Sequence, residues 1–254
     1  CHTPMRYLYD MRNEYLKKYN FLFKKIINSF FDYLKKWDYK TSQKIDLIIS
    51  NSEFVSNRIK KYWNRNSIVV NPTINLDEFS ISKSKKSYYI VLSEIVSYKR
   101  IDIAIEAFNT NKKELYVIGS GSLLNKFKRI SKKNIRFLDN ISDMQKASYL
   151  SNAQALIFPG IEDFGITPIE AIASGTPVIA FKSGGVLDYL KENENAIFFN
   201  KQTSNSLNRA LVKFEENKDK FNSDNLRKTI LGFSDQSFID NFKEIINKNF
   251  KNGN

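Results

Sequence analysis

Residues 158–185 read FPGIEDFGITPIEAIASGTPVIAFKSGG, and this stretch decides the fold. An apolar strand ends at Phe158 and a loop carries Glu162. The turn Asp163-Phe164-Gly165 follows, and Thr167-Pro168 opens a helix that carries Glu170. Gly175-Thr176-Pro177 ends the helix; Val178, Ile179, Ala180 and Phe181 form a second apolar strand, and Gly184-Gly185 make the next loop. The order strand, loop, helix, turn, strand, glycine loop builds a polar pocket at the carboxyl edge of an α/β sheet. Such sheets bind their ligands there.

Outward from this unit the alternation repeats. Strands are expected at 88–92, 114–118, 135–138, 155–158 and 196–199. Helices are expected over 100–108, from 121 to Ile130, over 144–153 and across much of 204–250. Successive βαβ units with short connections imply a parallel sheet covered by helices on both faces. Upstream, 46–50 and 67–70 read as short strands around a helix that Asn51-Ser52 caps. Residues 73–87 are polar, with Ser and Lys clustered at 80–87, and read as an interdomain linker. The organisation this predicts is a remnant of a first domain with its linker over 1–83 and a complete α/β domain over 84–235. A C-terminal helix over 236–254 is expected to pack back toward the first domain.

Residues 12–37 have helical period, as one helix or a helix pair. Tyr15, Tyr19, Leu22, Phe23, Ile26, Ile27, Phe30, Phe31, Leu34 and Trp37 recur every three or four positions. Lys17, Lys18, Lys24, Lys25, Lys35 and Lys36 fill the gaps. One reading lays this basic amphipathic segment on an anionic membrane surface; the other packs its stripe on its own domain. The charge is uneven: residues 1–66 hold 14 Lys/Arg against 6 Asp/Glu in a chain of net charge +13. A basic surface attracts nucleic acid, anionic lipid or a phosphorylated small molecule, and Lys-rich usage also produces a merely solvated face. No zinc-finger spacing, aromatic RNA-binding signature or arginine-rich stripe points to nucleic acid.

The single cysteine, Cys1, excludes an intrachain disulfide framework, and the single histidine, His2, excludes a His-rich metal site. No apolar run reaches the ~20 residues of a membrane span, so a cytosolic protein is expected. The chain opens in mid-motif with Cys1-His2-Thr3-Pro4 and reads as lacking its natural start.

The chemistry-bearing residues gather at the same edge. Glu162 follows a strand with no helix to support it, which suits a ligand-facing carboxylate. Glu170 has two readings: the last residue of a capping box Thr167-Pro168-Ile169-Glu170, or an acceptor for ribose-like hydroxyls. The amides of Phe164, Gly165, Ile166 and Thr167, at a helix start, favour phosphate. Lys99 sits between a strand and a helix, where it would neutralise a diphosphate. Gly119-Ser120-Gly121 follows a strand but is too short for a dinucleotide fingerprint.

These residues carry a resemblance. FPGIEDFGITPIEAIASGTPVIA is similar to the signature of family 4 retaining glycosyltransferases, whose two-Rossmann α/β architecture is called GT-B. His2-Thr3-Pro4-Met5-Arg6-Tyr7, Trp37-Asp38, Ile49-Ser50-Asn51-Ser52 and Tyr98-Lys99-Arg100 resemble bacterial mannosyltransferases of O-antigen and polysaccharide assembly. The resemblance implies a hexose, first of all mannose from GDP-mannose, moved without metal or cofactor to a lipid-linked or oligosaccharide acceptor. Carried over, it puts Glu162 and His2 on the transferred sugar, Glu170 on the donor ribose and Lys99 on the leaving diphosphate. Gly119 and the amides of 164–167 would complete the donor site. Glu94 departs from the pattern, since an arginine often stands there. The alternatives are a donor-binding fragment without turnover and a basic protein peripheral to membranes.

Overall fold

In a computed structural model, residues 1–17, 19–139 and 141–250 are described; Lys18 and the last four residues of the expected C-terminal helix lie outside them. The chain divides into two units, Cys1–Asn71 and Pro72–Asn254.

The first unit holds α1 (Arg12–Leu16), α2 (Phe21–Ser42), β1 (Ile49–Ser50), α3 (Glu53–Trp63) and β2 (Ile68–Val69). The helical segment is a pair rather than one helix. Asn20 adopts an extended backbone and its side chain accepts from the Phe23 amide, so α2 starts afresh. Asp38, buried on α2, accepts from Trp63 Nε1 at 2.6 Å and Tyr9 Oη at 2.8 Å, which fixes α2 against α3. Ile48, Val55, Ile59 and Trp63 form the small core. β1 and β2 pair in parallel, Ile49 opposite Ile68, and are shorter than the alternation suggested. Most of the apolar stripe of α2 is turned outward: Leu22, Phe23, Ile26, Phe30 and Trp37 are exposed.

The second unit is built on six parallel strands: β3 (Tyr89–Leu92), β4 (Leu115–Ile118), β5 (Ile135–Leu138), β6 (Leu156–Phe158), β7 (Val178–Phe181) and β8 (Ala196–Phe199). Their spatial order is β5-β4-β3-β6-β7-β8. Each strand is almost wholly apolar because both faces are covered. Alternate residues feed two cores. Ile90, Leu156, Val178 and Ala196 face α6 (Asp143–Asn152), α7 (Ile166–Ala173) and α9 (Ser223–Lys228). Tyr89, Val91, Val117, Ile157 and Ile179 face α4 (Ile101–Asn111), α5 (Leu124–Ile130) and α8 (Ser204–Asn217). α10 (Asp235–Phe250) ends the described chain.

The strand order reverses between β3 and β6. The chain leaves β3 toward β4 on one side and returns through α6 to β6 on the other, with Ile90 opposite Leu156. The loops after β3 and β6 therefore diverge at one point, which leaves a crevice at the carboxyl edge.

The segment expected to be a linker is docked on this unit. Ile74 and Phe79 are buried in its core, and Arg227 donates to the carbonyls of Phe79 and Leu76, both at 2.7 Å. The boundary between units falls at Asn71/Pro72, earlier than the expected 83/84. Two buried apolar side chains in a polar segment are enough to tie it down.

Candidate functional site

The two loops at the reversal bring Lys99 and Glu162 into direct contact. Lys99 ends a 3-10 turn, Ser97–Lys99, after β3, and its ammonium group pairs with the Glu162 carboxylate on the loop after β6. Their side chains are only 17% and 19% exposed. The loops pack closely because residue 160 is glycine: a Cβ there would stand 3.0–3.3 Å from the Lys99 backbone. Gln202 adds a bridge, donating to the Pro159 carbonyl at 2.9 Å and accepting from Arg100 at 3.4 Å.

Glu162 has a fixed backbone. Gly185 donates its amide to the Glu162 carbonyl at 2.9 Å. A Cβ on Gly184 would lie 2.6 Å from that carbonyl, and one on Gly185 2.2 Å from the Asp163 carbonyl. The glycine pair thus lets its loop lie flat on residues 162–164, a close approach no other residue permits.

α7 begins at Ile166 with Gly165 as N-cap at φ +90°. Buried Tyr189 donates its hydroxyl to the Gly165 carbonyl, and burial raises its pKa well above the ordinary value. That turns the carbonyl inward at the helix start, whose dipole favours an anion. Phe164 contributes backbone only, because its ring is buried against Tyr189, 5.4 Å between centroids. Ile166 is exposed and Thr167 half-buried.

Helix registry corrects the capping-box reading of Glu170. With Gly165 as N-cap, Thr167 and Pro168 are the second and third helical residues and Glu170 the fifth, beyond reach of the cap. Its side chain, 17% exposed, lines a cavity of about 760 Å³ with Glu78, Ser82, Asp143, Lys146 and Asn152. Burial raises its carboxyl pKa; Lys146, 4.0 Å away, opposes that shift, while Asp143 and Glu78 reinforce it. Lys146 carries no ligand-binding motif in the sequence; it lies on α6, far along the chain from Glu170. The only hint was its place one turn into a helix with the Ser142–Gln145 capping box.

Gly119, at φ +139°, has a backbone reason for being glycine: a Cβ would stand 2.0 Å from the Ser93 carbonyl. Glu94 is exposed, because its neighbour Ile95 is fully buried and its backbone pairs with Ser120 and Leu123. The carboxylate thus faces solvent. His2 is exposed in the first unit, and the other candidates belong to the second. Among the described residues no three His, Cys, Asp or Glu side chains gather as metal ligands.

An open parallel sheet that collects its charged side chains where the strand order reverses is a Rossmann-like ligand-binding domain. Its sequence goes further: the chain belongs to the family of glycosyl transferases group 1, matched over residues 73–229, more than half its length. An uncharacterized glycosyltransferase of Methanocaldococcus jannaschii is 26% identical over 202 residues, covering 78% of this chain and 55% of that protein. Alpha-1,3/1,6-mannosyltransferase ALG2 of Dictyostelium discoideum is 25% identical over 257 residues, covering 80% of this chain and 61% of the relative. Anabaena HepE, solved with UDP and glucose, shares the GT-B fold at a TM-score of 0.74 and 15% identity, over 84% of this chain and 66% of that one. The chain spans roughly half to three-fifths of the length of these curated relatives. No helix among the described residues is long and apolar enough to cross a membrane.

Proposed function

We propose that this chain carries the donor side of a retaining hexosyltransferase, moving mannose from GDP-mannose to a lipid-linked or oligosaccharide acceptor in cell-surface polysaccharide synthesis on the cytoplasmic side. The observation that carries the reading is the meeting of Lys99 and Glu162 at the reversal of a parallel sheet, beside the N-terminus of α7. Glu162 would accept from hydroxyls of the transferred sugar and Glu170 from the ribose. Lys99 and the amides of 164–167 would face the diphosphate, with Gly119 at the donor edge.

In the transfer, the acceptor hydroxyl oxygen bonds to the anomeric carbon as that carbon's bond to the phosphate oxygen breaks. The electron pair leaves on the diphosphate, which takes the acceptor's proton on the same face. Lys99 and the helix terminus meet the developing charge, so no metal is required. The ALG2 relatives support mannose, and the UDP complex of HepE makes a uridine donor the rival.

A thermal-shift panel of GDP, UDP and ADP with their sugars tests the reading. GDP and GDP-mannose should raise Tm, since a ligand at 100 times its Kd stabilises by about 2.7 kcal/mol. No shift with any nucleotide overturns it.

A second reading, contact with an anionic membrane, is favoured by the outward stripe of α2, in which Leu22 is 73% and Ile26 67% exposed, with Lys25, Lys36 and Lys40 on the same helix. Flotation with vesicles containing phosphatidylglycerol, lost at high salt and absent with phosphatidylcholine alone, would support it.

A further inference from the structure

The two charged side chains of the site satisfy each other. Lys99 and Glu162, the cation and carboxylate that a sugar diphosphate would need, are bound to each other and largely withdrawn from water. The void beside them, between Ser93, Pro159 and Gly160, is about 10 Å³. That is room for one water at most, which needs roughly 10–15 Å³, and too little for a phosphate. Both backbones are closely packed: Gly160 seats the Lys99 loop, and Gly184 and Gly185 lie against the backbone of residues 162–164. The smallest movement that separates the pair is a rotation of the two side chains.

We infer that the Lys99–Glu162 ion pair is the resting state of the donor site, and that a nucleoside diphosphate takes Lys99 from Glu162 as it binds. This rests on the function proposed above. A diphosphate carries more negative charge than one carboxylate and offers several oxygens to a single ammonium group, so it competes for the cation on favourable terms. Glu162 then loses its partner in a half-buried setting and must find new donors. Sugar hydroxyls supply them. The order of events follows: the diphosphate frees the carboxylate that the sugar needs, and Glu162 is masked until a phosphate arrives.

The exchange has a consequence that simple contact roles lack. Removing the charge of Glu162 must strengthen binding of a nucleoside diphosphate that carries no sugar, because Lys99 no longer has to be taken from a partner. Calorimetric titration of GDP and UDP into the wild-type chain, E162Q, K99M and the double variant reads this directly. E162A serves as a second carboxylate-free variant, and thermal melts confirm that each protein is folded. E162Q should bind the nucleoside diphosphate about fivefold more tightly than wild type, the size of an ion pair that keeps some contact with water, and K99M more weakly. The gain should vanish when E162Q is added to K99M.

Equal affinity of wild type, E162Q and E162A overturns the exchange and leaves the donor site standing. A gain that persists in the K99M background also overturns it, since the benefit would then not pass through Lys99. Absence of nucleotide binding in all variants overturns both the exchange and the function on which it rests.

Discussion

Glu162 and Glu170 are separated by seven residues and are almost equally exposed, at 19% and 17%, yet they stand in opposite electrostatic settings. Glu162 is held on a loop by glycine-backed contacts and touches a cation directly. Glu170 is held by a helix, and Lys146 stands 4.0 Å away, with Asp143 and Glu78 pressing the other way. Exposure alone would have made them equivalent. One carboxylate is compensated inside the protein and has to be released. The other is under-compensated and already calls for a donor from outside.

The largest effect should come from the compensated side. E162Q keeps shape and hydrogen-bonding capacity but removes the charge that would track sugar hydroxyls through the reaction. Turnover of the sugar nucleotide should fall about 100-fold, the usual loss when one preorganised polar group is removed from a transition state. Donor KM should move less. Product release measured at saturating donor checks this, and a fall of less than about threefold would break the asymmetry between the two carboxylates.

The backbone behind Glu162 comes next. Gly185→Ala would place a Cβ 2.2 Å from the Asp163 carbonyl and 2.6 Å from the Phe164 Cα, contacts that only a shift of the loop relieves. Overpacking of this kind costs about 2 kcal/mol, which lowers Tm by about 4–8 °C in a chain of this length. Gly232→Ala, where nothing lies within 4 Å, is the control and should leave the melt unchanged.

How much of this was readable in the sequence follows from where each contact is made. The βαβ alternation lies in runs such as Val178–Phe181 and in the turn glycines, so the parallel sheet was legible. Lys99 and Glu162 each carry a local signal at a strand end, but their contact joins positions 63 apart, and only the reversal of strand order at β3/β6 creates it. The register of α7 was hidden for a similar reason: Tyr189, 24 residues downstream, fixes the Gly165 carbonyl, so the cap moves to the glycine rather than Ser/Thr-like chemistry at Thr167. The docked segment 72–87 depends on Arg227 reaching carbonyls 148 and 151 residues away. Periodicity reports which face of an element is apolar. It does not report which half of an apolar face meets a partner, as the outward stripe of α2 demonstrates.

On the under-compensated side the effects are smaller and of opposite sign for binding and stability. E170Q removes a charged acceptor from the cavity, so nucleotide affinity should drop about tenfold, the difference between a charged and a neutral hydrogen bond. The free protein, by contrast, should gain about 2 °C in Tm at pH 7, because a desolvated charge has been deleted. An E170Q protein that binds nucleotide normally and melts lower would place Glu170 with the compensated carboxylates and erase the contrast.

The pH dependence isolates that term most cleanly. Burial raises the Glu170 carboxyl above its ordinary value of 4.5, so in the window just above that value the folded chain holds a proton that the unfolded chain has lost. Stability therefore falls as pH rises through the folded value, and the protonated carboxyl contributes its full stability only below 4.5. Titrating groups remote from the cavity are common to wild type and E170Q and drop out of their difference, which leaves Glu170 together with its neighbours Lys146, Asp143 and Glu78. The difference in Tm between E170Q and wild type should thus be smallest at pH 4, open as pH rises above 4.5, and level off once pH has passed the folded value. A difference that stays constant from pH 4 to pH 7 would mean that the gain comes from packing of the amide and owes nothing to charge. A difference that opens in the other direction would mean that Lys146 outweighs desolvation, and the cavity would then have no charge deficit to offer a ligand.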